Sequence, residues 1–524
     1  MKWIVLGEEK GMIKMVSKSG TDGLIPKGAY LTIEKGDNKF ILRVDDSKQD
    51  EPYSPSPLVI DMNLKPMLQD QKCQNIIYAR RVKDLVERVD GLIDFIPALS
   101  VARRSNQEEI ELALGGGSKN NGPTVMLSTI HSSRSQLLTD ENKNPIIINI
   151  PENFFYHQIM ICGRTGSGKT VASKYLAEYF TEVLQGAVIA INVKDDDFLH
   201  MDKPSRTSKK DVLKEWEVLG LSPVGLENYT IYFPANIDFK TVRNINEKKC
   251  KKITLDVKSI DPEALSGLIR GISDIGAQSL PSIFRYWQQL ESKKNANYRF
   301  VDFVNYFSLA QNDGKSFRTM NIRYEESSEI TLHSGTYNNI LRNLNNAVDF
   351  FDNPNSETIG ADDILQNGKM SVINVAGQKG VEFGAILLRH LLHQIVETKS
   401  QRRSDVPVLI IIDEVHQFYN NESSKETLGD IDTICRTGRS QEIGVIFSSQ
   451  NPSDIPRGLS SVINTKIIFK SDSSTVKAQG INFNTEELEN LRTGYAAVSI
   501  HNLSQVKSVK FPMALSGVFE KEEK

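Results

Sequence analysis

Eight consecutive residues carry the plainest chemistry in the chain: Gly163, Arg164, Thr165, Gly166, Ser167, Gly168, Lys169 and Thr170, a full match to G-x-x-x-x-G-K-[ST]. Glycines there let main-chain N–H groups converge on a polyphosphate, because no Cβ obstructs the turn. A helix opening at the lysine adds the partial positive charge of its N-terminus. Lys169 is then placed to reach the β- and γ-phosphates of ATP, and the Thr170 hydroxyl to ligate Mg²⁺.

A second constellation completes the first. The apolar run Val408–Ile412 ends in Asp413 and Glu414, the pattern of a Walker B strand covered by helices on both faces. Ligands in open α/β sheets sit at strand ends. Asp413 is the candidate for holding Mg²⁺, directly or through water, and Glu414 for orienting and deprotonating the attacking water. Further on, Arg436 and Arg439 close a helical stretch, and the strand 444–448 leads to Gln450. Gln450 at that strand tip could sense the γ-phosphate or position water. The two arginines read either as arginine fingers for a neighbouring subunit's ATP or as helix C-terminal charges favoured by the dipole.

The elements that must position these groups follow an α/β pattern from about residue 124. Apolar strands at 158–162 and 187–192 flank a helix over 170–180, with Val171, Tyr175, Leu176, Tyr179 and Phe180 on one face. The pattern resumes with a strand at 369–375, a helix over 383–398 and the strand Val408–Ile412. Between lies a mostly helical stretch with polar loops, 311–316 among them. Ahead of the core, short apolar runs at 3–6, 12–16, 30–33 and 40–44, split by turn residues, predict a small β-barrel or β-sandwich. Further β-like segments are expected at 75–82, 91–95 and 109–114, with a Pro/Ser linker at 51–57 and a glycine-rich boundary at 115–123.

The expected organisation is therefore an N-terminal barrel over 1–115, a first core part over 124–260, a helical insertion over 261–352, a second core part over 353–500, and a C-terminal strand and tail over 501–524. At 524 residues, several domains are expected. The formal net charge of −3 neither demands nor excludes nucleic acid, since a ring needs only a local basic lining. The longest apolar run, near 406–412, falls far short of the ~18 residues of a membrane span. Four scattered cysteines, Cys73, Cys162, Cys250 and Cys435, read as reduced thiols of a cytoplasmic protein.

Taken together, the P-loop, the strand ending Asp413-Glu414, and the run from Arg436-Thr437-Gly438-Arg439 to Gln450-Asn451-Pro452-Ser453 resemble the HerA/FtsK branch of ring ATPases, HerA-like DNA translocases most of all. Asn192-Val193-Lys194 with the acidic residues 195–197 resembles that family's second-strand motif, with Asp195 where glycine is common. The long separation of Lys169 from Asp413 also fits. The resemblance implies a RecA-like parallel-sheet core behind a small β-barrel. It implies a homo-oligomer, taken as a hexamer with a heptamer open, that threads double-stranded DNA, with ATP between subunits and Arg439, less surely Arg436, completing the neighbour's site. It also implies a partner nuclease or effector, in DNA end processing or antiphage defence, and no membrane attachment. The alternatives are an ATP-responsive ring scaffold that activates an effector, and a conjugation or secretion ATPase. The stretch 495–511 and the charged tail are expected to brace an adjacent subunit. Candidate DNA-facing cations are the basic cluster at 206–210, Arg402, Arg403 and Lys425.

Overall fold

The computed structural model describes residues 3–17, 25–50, 74–85, 95–114, 122–131, 134–194, 197–269, 279–294, 296–310, 312, 314–320, 327–419, 429–471, 485–501, 503 and 505–520. These fall into two compact units. One comprises Met1–Phe154, Gly166–Gly168 and Lys466–Pro512; the other comprises Phe155–Thr165, Lys169–Thr465 and Met513–Lys524. The linker at 51–57, most of the boundary at 115–123, Cys73, Asp195 and Lys425 lie outside the described residues.

In the first unit, strands β1 (Trp3–Glu9), β2 (Met12–Ser17), β3 (Tyr30–Lys35), β4 (Asn38–Asp50), β5 (Gln74–Asp84) and β6 (Val101–Arg104) close a barrel in the order β1-β2-β5-β4-β3-β6. The alternation that predicts it is visible in β1, where Trp3 and Val5 are fully buried while Ile4 and Leu6 face out. The expected strand at 109–114 is instead part of a helix, α1 (Gln107–Ala113). The alternating Ile110, Leu112 and Leu114 suggested a strand, but Asn106 caps the helix and Glu109 answers it in a capping box. The Glu109 carboxylate also accepts hydrogen bonds from Thr32, Lys39 and Arg103. Although burial opposes its charge, these donors hold it ionised down to about pH 2.

After the barrel come β7 (Thr124–His131), β8 (Arg134–Leu137) and β9 (Ile147–Asn149). They pair antiparallel, β7 with both β8 and β9. The α/β pattern expected from residue 124 thus begins only with the second unit.

That unit holds a parallel sheet. Its strands are β10 (Ile159–Cys162), β11 (Ala187–Asn192), β12 (Tyr229–Pro234), β13 (Cys250–Ile253), β16 (Met370–Asn374), β17 (Val408–Ile412) and β18 (Ile443–Ser449), in the order β13-β12-β16-β11-β17-β18-β10. β10, β11, β16, β17 and β18 are buried along their whole length, as a sheet covered on both faces requires. The helices that position the site are α2 (Lys169–Glu182), α7 (Gln378–Ser400) and α8 (Asp430–Gln441).

Between β13 and β16 the chain makes α4 (Leu280–Lys294), α5 (Phe300–Leu309) and α6 (Ser334–Ala347), following the surface helix α3 (Lys210–Val218). Aromatic packing holds this insertion: Phe284 meets Phe303 edge-on at 4.9 Å, and Phe307 stacks on Phe317 at 4.5 Å. The region read as helices and loops also contains a hairpin, β14 (Ser316–Met320) with β15 (Ser327–Thr331). Its polar outer face, exposed at Ser327, Ser328 and Glu329, gave no apolar alternation to read.

Finally β19 (Thr465–Ile468), β20 (Tyr495–Ser499) and β21 (Ser508–Lys510) form an antiparallel run, and β21 pairs with β7 within the first unit. No helix among the described residues is long and apolar enough to cross a membrane.

Candidate functional site

Glycine geometry shapes the loop between β10 and α2. Gly166 and Gly168 have φ of +76° and +110°, backbone that L side chains rarely adopt. A Cβ on Gly168 would also stand 3.0 Å from the main-chain nitrogen of Gly494. The Lys169 ammonium turns back onto the loop, donating to the carbonyls of Gly163 and Arg164. Burial lowers the Lys169 pKa, and the nearby Lys194 ammonium lowers it further. Asp413 and Glu414 act on Lys169 in the opposite sense, so the sheet brings the loop lysine within electrostatic reach of both carboxylates. The Ser167 hydroxyl is buried and has no hydrogen-bond partner among the described residues.

Beyond β17, Asp413 is 2% exposed and accepts a 2.9 Å hydrogen bond from Ser448 Oγ at the end of the neighbouring β18. Burial raises its pKa, against the opposing pull of Lys194. Glu414 follows with φ +46°, an uncommon backbone for a side-chain-bearing residue and one that clusters at functional sites. Its Oε1 accepts from Gln450 Nε2 at 3.3 Å and faces Lys194 Nζ at 2.8 Å. Burial alone would push the Glu414 pKa up. The hydrogen bond and charge of Lys194 outweigh it, and the net shift is downward. His416 Nδ1 lies 3.6 Å from the other Glu414 oxygen.

Lysine 194 is the residue that sequence reasoning undervalued. It follows β11, whose Ile191 lies opposite Ile412 in parallel register. Its ammonium contacts Asp413 Oδ2 at 3.3 Å, Glu414 Oε1 at 2.8 Å and Asp197 Oδ2 at 3.6 Å. Asn192, just before it, is buried and donates to Asn374 Oδ1 at 2.8 Å. The signal available was the resemblance of Asn192-Val193-Lys194, at the end of the buried β11, to the family's second-strand motif, which carried no role for the lysine itself. Ser448 was equally hidden, as an ordinary serine in a strand.

Gln450, expected at a strand tip to sense the γ-phosphate or position water, donates to Glu414, whereas neither arginine makes an ion pair with the two carboxylates among the described residues. Arg436 is exposed and tied to Asp432 at 2.8 Å within its own helix. Arg439 is exposed in the last turn of α8 and makes no ion pair among the described residues. Between them Gly438 is required by space, since a Cβ there would lie 2.6 Å from the Ile443 carbonyl. Of the candidate cations, Lys209 is paired with Glu520 at 2.7 Å and Arg403 lies 3.6 Å from Glu397.

The residues present suit a divalent cation beside a triphosphate. Asp413 Oδ2 and Glu414 Oε2 are buried oxygens without a hydrogen bond among the described residues, and two hard carboxylates are ligands such an ion takes. Asp413, with the Thr170 hydroxyl at the head of α2, would hold it.

The chain is similar to several known proteins. The family model for the central domain of helicase HerA matches residues 135–395, and that for the HerA-like C-terminal region matches 329–479. The DNA double-strand break repair helicase HerA of Sulfurisphaera tokodaii is 23% identical over 519 residues, spanning 94% of this chain and 90% of that protein. Among solved structures, the bacterial conjugative coupling protein TrwB is 13% identical with a TM-score of 0.46, covering 71% of this chain and 90% of its own. VirB4 of Thermoanaerobacter pseudethanolicus is 11% identical with a TM-score of 0.42, covering 75% and 97%.

Proposed function

We propose, from the premise that this chain belongs to the HerA family of P-loop ATPases, that it is an ATP-driven motor moving along double-stranded DNA. In this reading it works as a ring of identical subunits, six in number, beside a nuclease or effector in DNA end processing or antiphage defence. The observation that carries the reading is that one parallel sheet sets the loop after β10 and the Asp413–Glu414 pair after β17 at the same edge, with only β18 between them.

The roles follow from the chemistry of each position. Main-chain N–H groups from Gly163 to Lys169, Arg164 and Thr165 included, cradle the phosphates at the helix N-terminus. Lys169 exchanges its two loop carbonyls for phosphate oxygens. Mg²⁺, held by Thr170 and Asp413, supplies charge neutralisation on the phosphates when bound. Glu414, ionised beside Lys194 and held by Gln450, orients the attacking water and takes its proton. Arg439, free of ion pairs among the described residues, is better placed than the Asp432-bound Arg436 to reach a neighbouring subunit.

Steady-state ATP hydrolysis with and without long linear double-stranded DNA, at low salt, tests this function. Several-fold stimulation that fades as salt rises is the expected result, because phosphate contacts release counterions. Hydrolysis indifferent to DNA at every salt concentration would overturn the DNA-coupled motor and favour a ring scaffold.

A further inference from the structure

Lys194 enters the roles above only through Glu414, yet its contacts reach further. Its ammonium touches Asp413, Glu414 and Asp197 at 3.3, 2.8 and 3.6 Å. Asp413 Oδ1 is taken by Ser448. Asp413 Oδ2 is buried with no hydrogen bond among the described residues, so the ammonium is the charge that faces it. Two adjacent buried carboxylates repel each other and are costly to keep ionised without a counter-ion.

Exposure separates the partners. The Lys194 side chain is 39% exposed, whereas those of Asp413 and Glu414 are 4% and 2% exposed. The cation thus reaches in from solvent on a flexible four-carbon stem, while the carboxylates are fixed by strand and loop. A point charge on such a stem can leave without disturbing the sheet. The Lys194 charge also lowers the Lys169 pKa, so an anion held at Lys169 would be felt electrostatically at Lys194 too.

We infer that Lys194 is an exchangeable internal counter-ion: it neutralises the Asp413–Glu414 pair between turnovers, and a divalent cation must displace it from Asp413 Oδ2 in order to bind. This deepens the site proposed above and rests on Asp413 being the metal-holding carboxylate. It makes metal loading conditional. A free divalent ion competes with a tethered ammonium already in place, whereas an ion arriving with a polyphosphate also brings an anion for the displaced ammonium.

The test is Mn²⁺ binding to the full chain without nucleotide, read from loss of the free Mn²⁺ electron paramagnetic resonance signal at pH 8. Lys194→Met is expected to bind Mn²⁺ about tenfold more tightly than wild type, as removal of a charge within a few Å commonly shifts such equilibria by a decade or more. Lys194→Arg, which keeps the charge, should bind as weakly as wild type, and Lys194→Met/Asp413→Asn should lose the gain. Lys194→Gln replaces the methionine variant if near-ultraviolet circular dichroism shows that variant unfolded. Neutral variants that bind no more tightly than wild type overturn the counter-ion. Mn²⁺ binding in the presence of ATP separates the two failures. If Asp413→Asn weakens it while Lys194→Met shows no nucleotide-free gain, the counter-ion alone is wrong. If Asp413→Asn leaves it unchanged, the metal assignment falls and the counter-ion with it.

Discussion

Two buried glutamates in the same unit are treated in opposite ways. Glu414, at the end of β17, is 2% exposed and shifted toward the charged form. Glu178, in α2, is 4% exposed, and burial pushes its pKa up to about 7. Both accept hydrogen bonds. Those to Glu178 come from the main chain of Leu515 and Ser516 and from the Ser516 hydroxyl, all neutral donors. Glu414 has an ammonium at 2.8 Å. The Lys174 charge lowers the Glu178 pKa only in part, whereas an ammonium in direct contact carries Glu414 below the ordinary value.

The structural consequences differ accordingly. Glu178 serves the fold by fastening the C-terminal segment onto α2. That segment is further held by Lys174 on the Gly517 carbonyl, by Trp216 on the Met513 carbonyl and by Ser205 on the Val518 nitrogen. These hydrogen bonds of residues 513–518 are made within their own chain. Glu414 instead stands at a strand end beside Asp413, its charge held by the half-exposed Lys194.

Four measurements would break or sharpen this contrast. Arg439 is the extreme of a charge left unpaired among the described residues. If it acts as a finger in trans, Arg439→Ala should lower turnover by roughly 10³-fold. Mixed with wild-type subunits, it should poison activity out of proportion to its fraction; a strictly linear loss would remove the finger. Lys169→Ala takes away the cation aimed at the phosphates and should cost about 10²-fold in turnover. Ordinary hydrolysis by that variant would undo the P-loop assignment.

Glu414→Gln should still bind a fluorescent ATP analogue while turning over at least about tenfold more slowly. Equal turnover would move the base elsewhere and leave Glu414 as structural as Glu178. The smallest effect concerns Glu178 itself. Its folded pKa, about 7, lies above the ordinary 4.5, so its stabilising contribution is full below about 4.5 and is lost as pH rises through about 7. The advantage in thermal midpoint of wild type over Glu178→Gln should therefore shrink between those pH values. A constant difference would mean that the two glutamates are not opposites after all.

Much of the site was legible because its parts are local. A P-loop is eight consecutive residues whose glycines and lysine announce their own geometry, and Val408–Ile412 announces a covered strand that must end in a ligand-facing pair. The N-terminal strands were legible from short apolar runs between turn residues, though that pattern suits a sandwich as well as the closed barrel that forms. Where local signals conflicted, the reading failed. The stretch 109–114 alternates like a strand but is helical because Asn106 and Glu109 cap each other. The hairpin β14–β15 carries too little apolar pattern to be seen.

The sequence by itself determined the nucleotide chemistry, the order of the motifs and the insertion between them, since each depends on residues adjacent in the chain. Only the tertiary structure decided which side chains meet at the strand ends. Lys194 and Ser448 come to Asp413 because β11, β17 and β18 are neighbours in parallel register, a pairing set by how the whole sheet is wound. Glu178 meets residues 515 and 516 for a related reason: a chain segment more than three hundred residues away returns to cover α2. Charge state at these sites is a property of that assembly, because it is set by neighbours across space rather than along the chain.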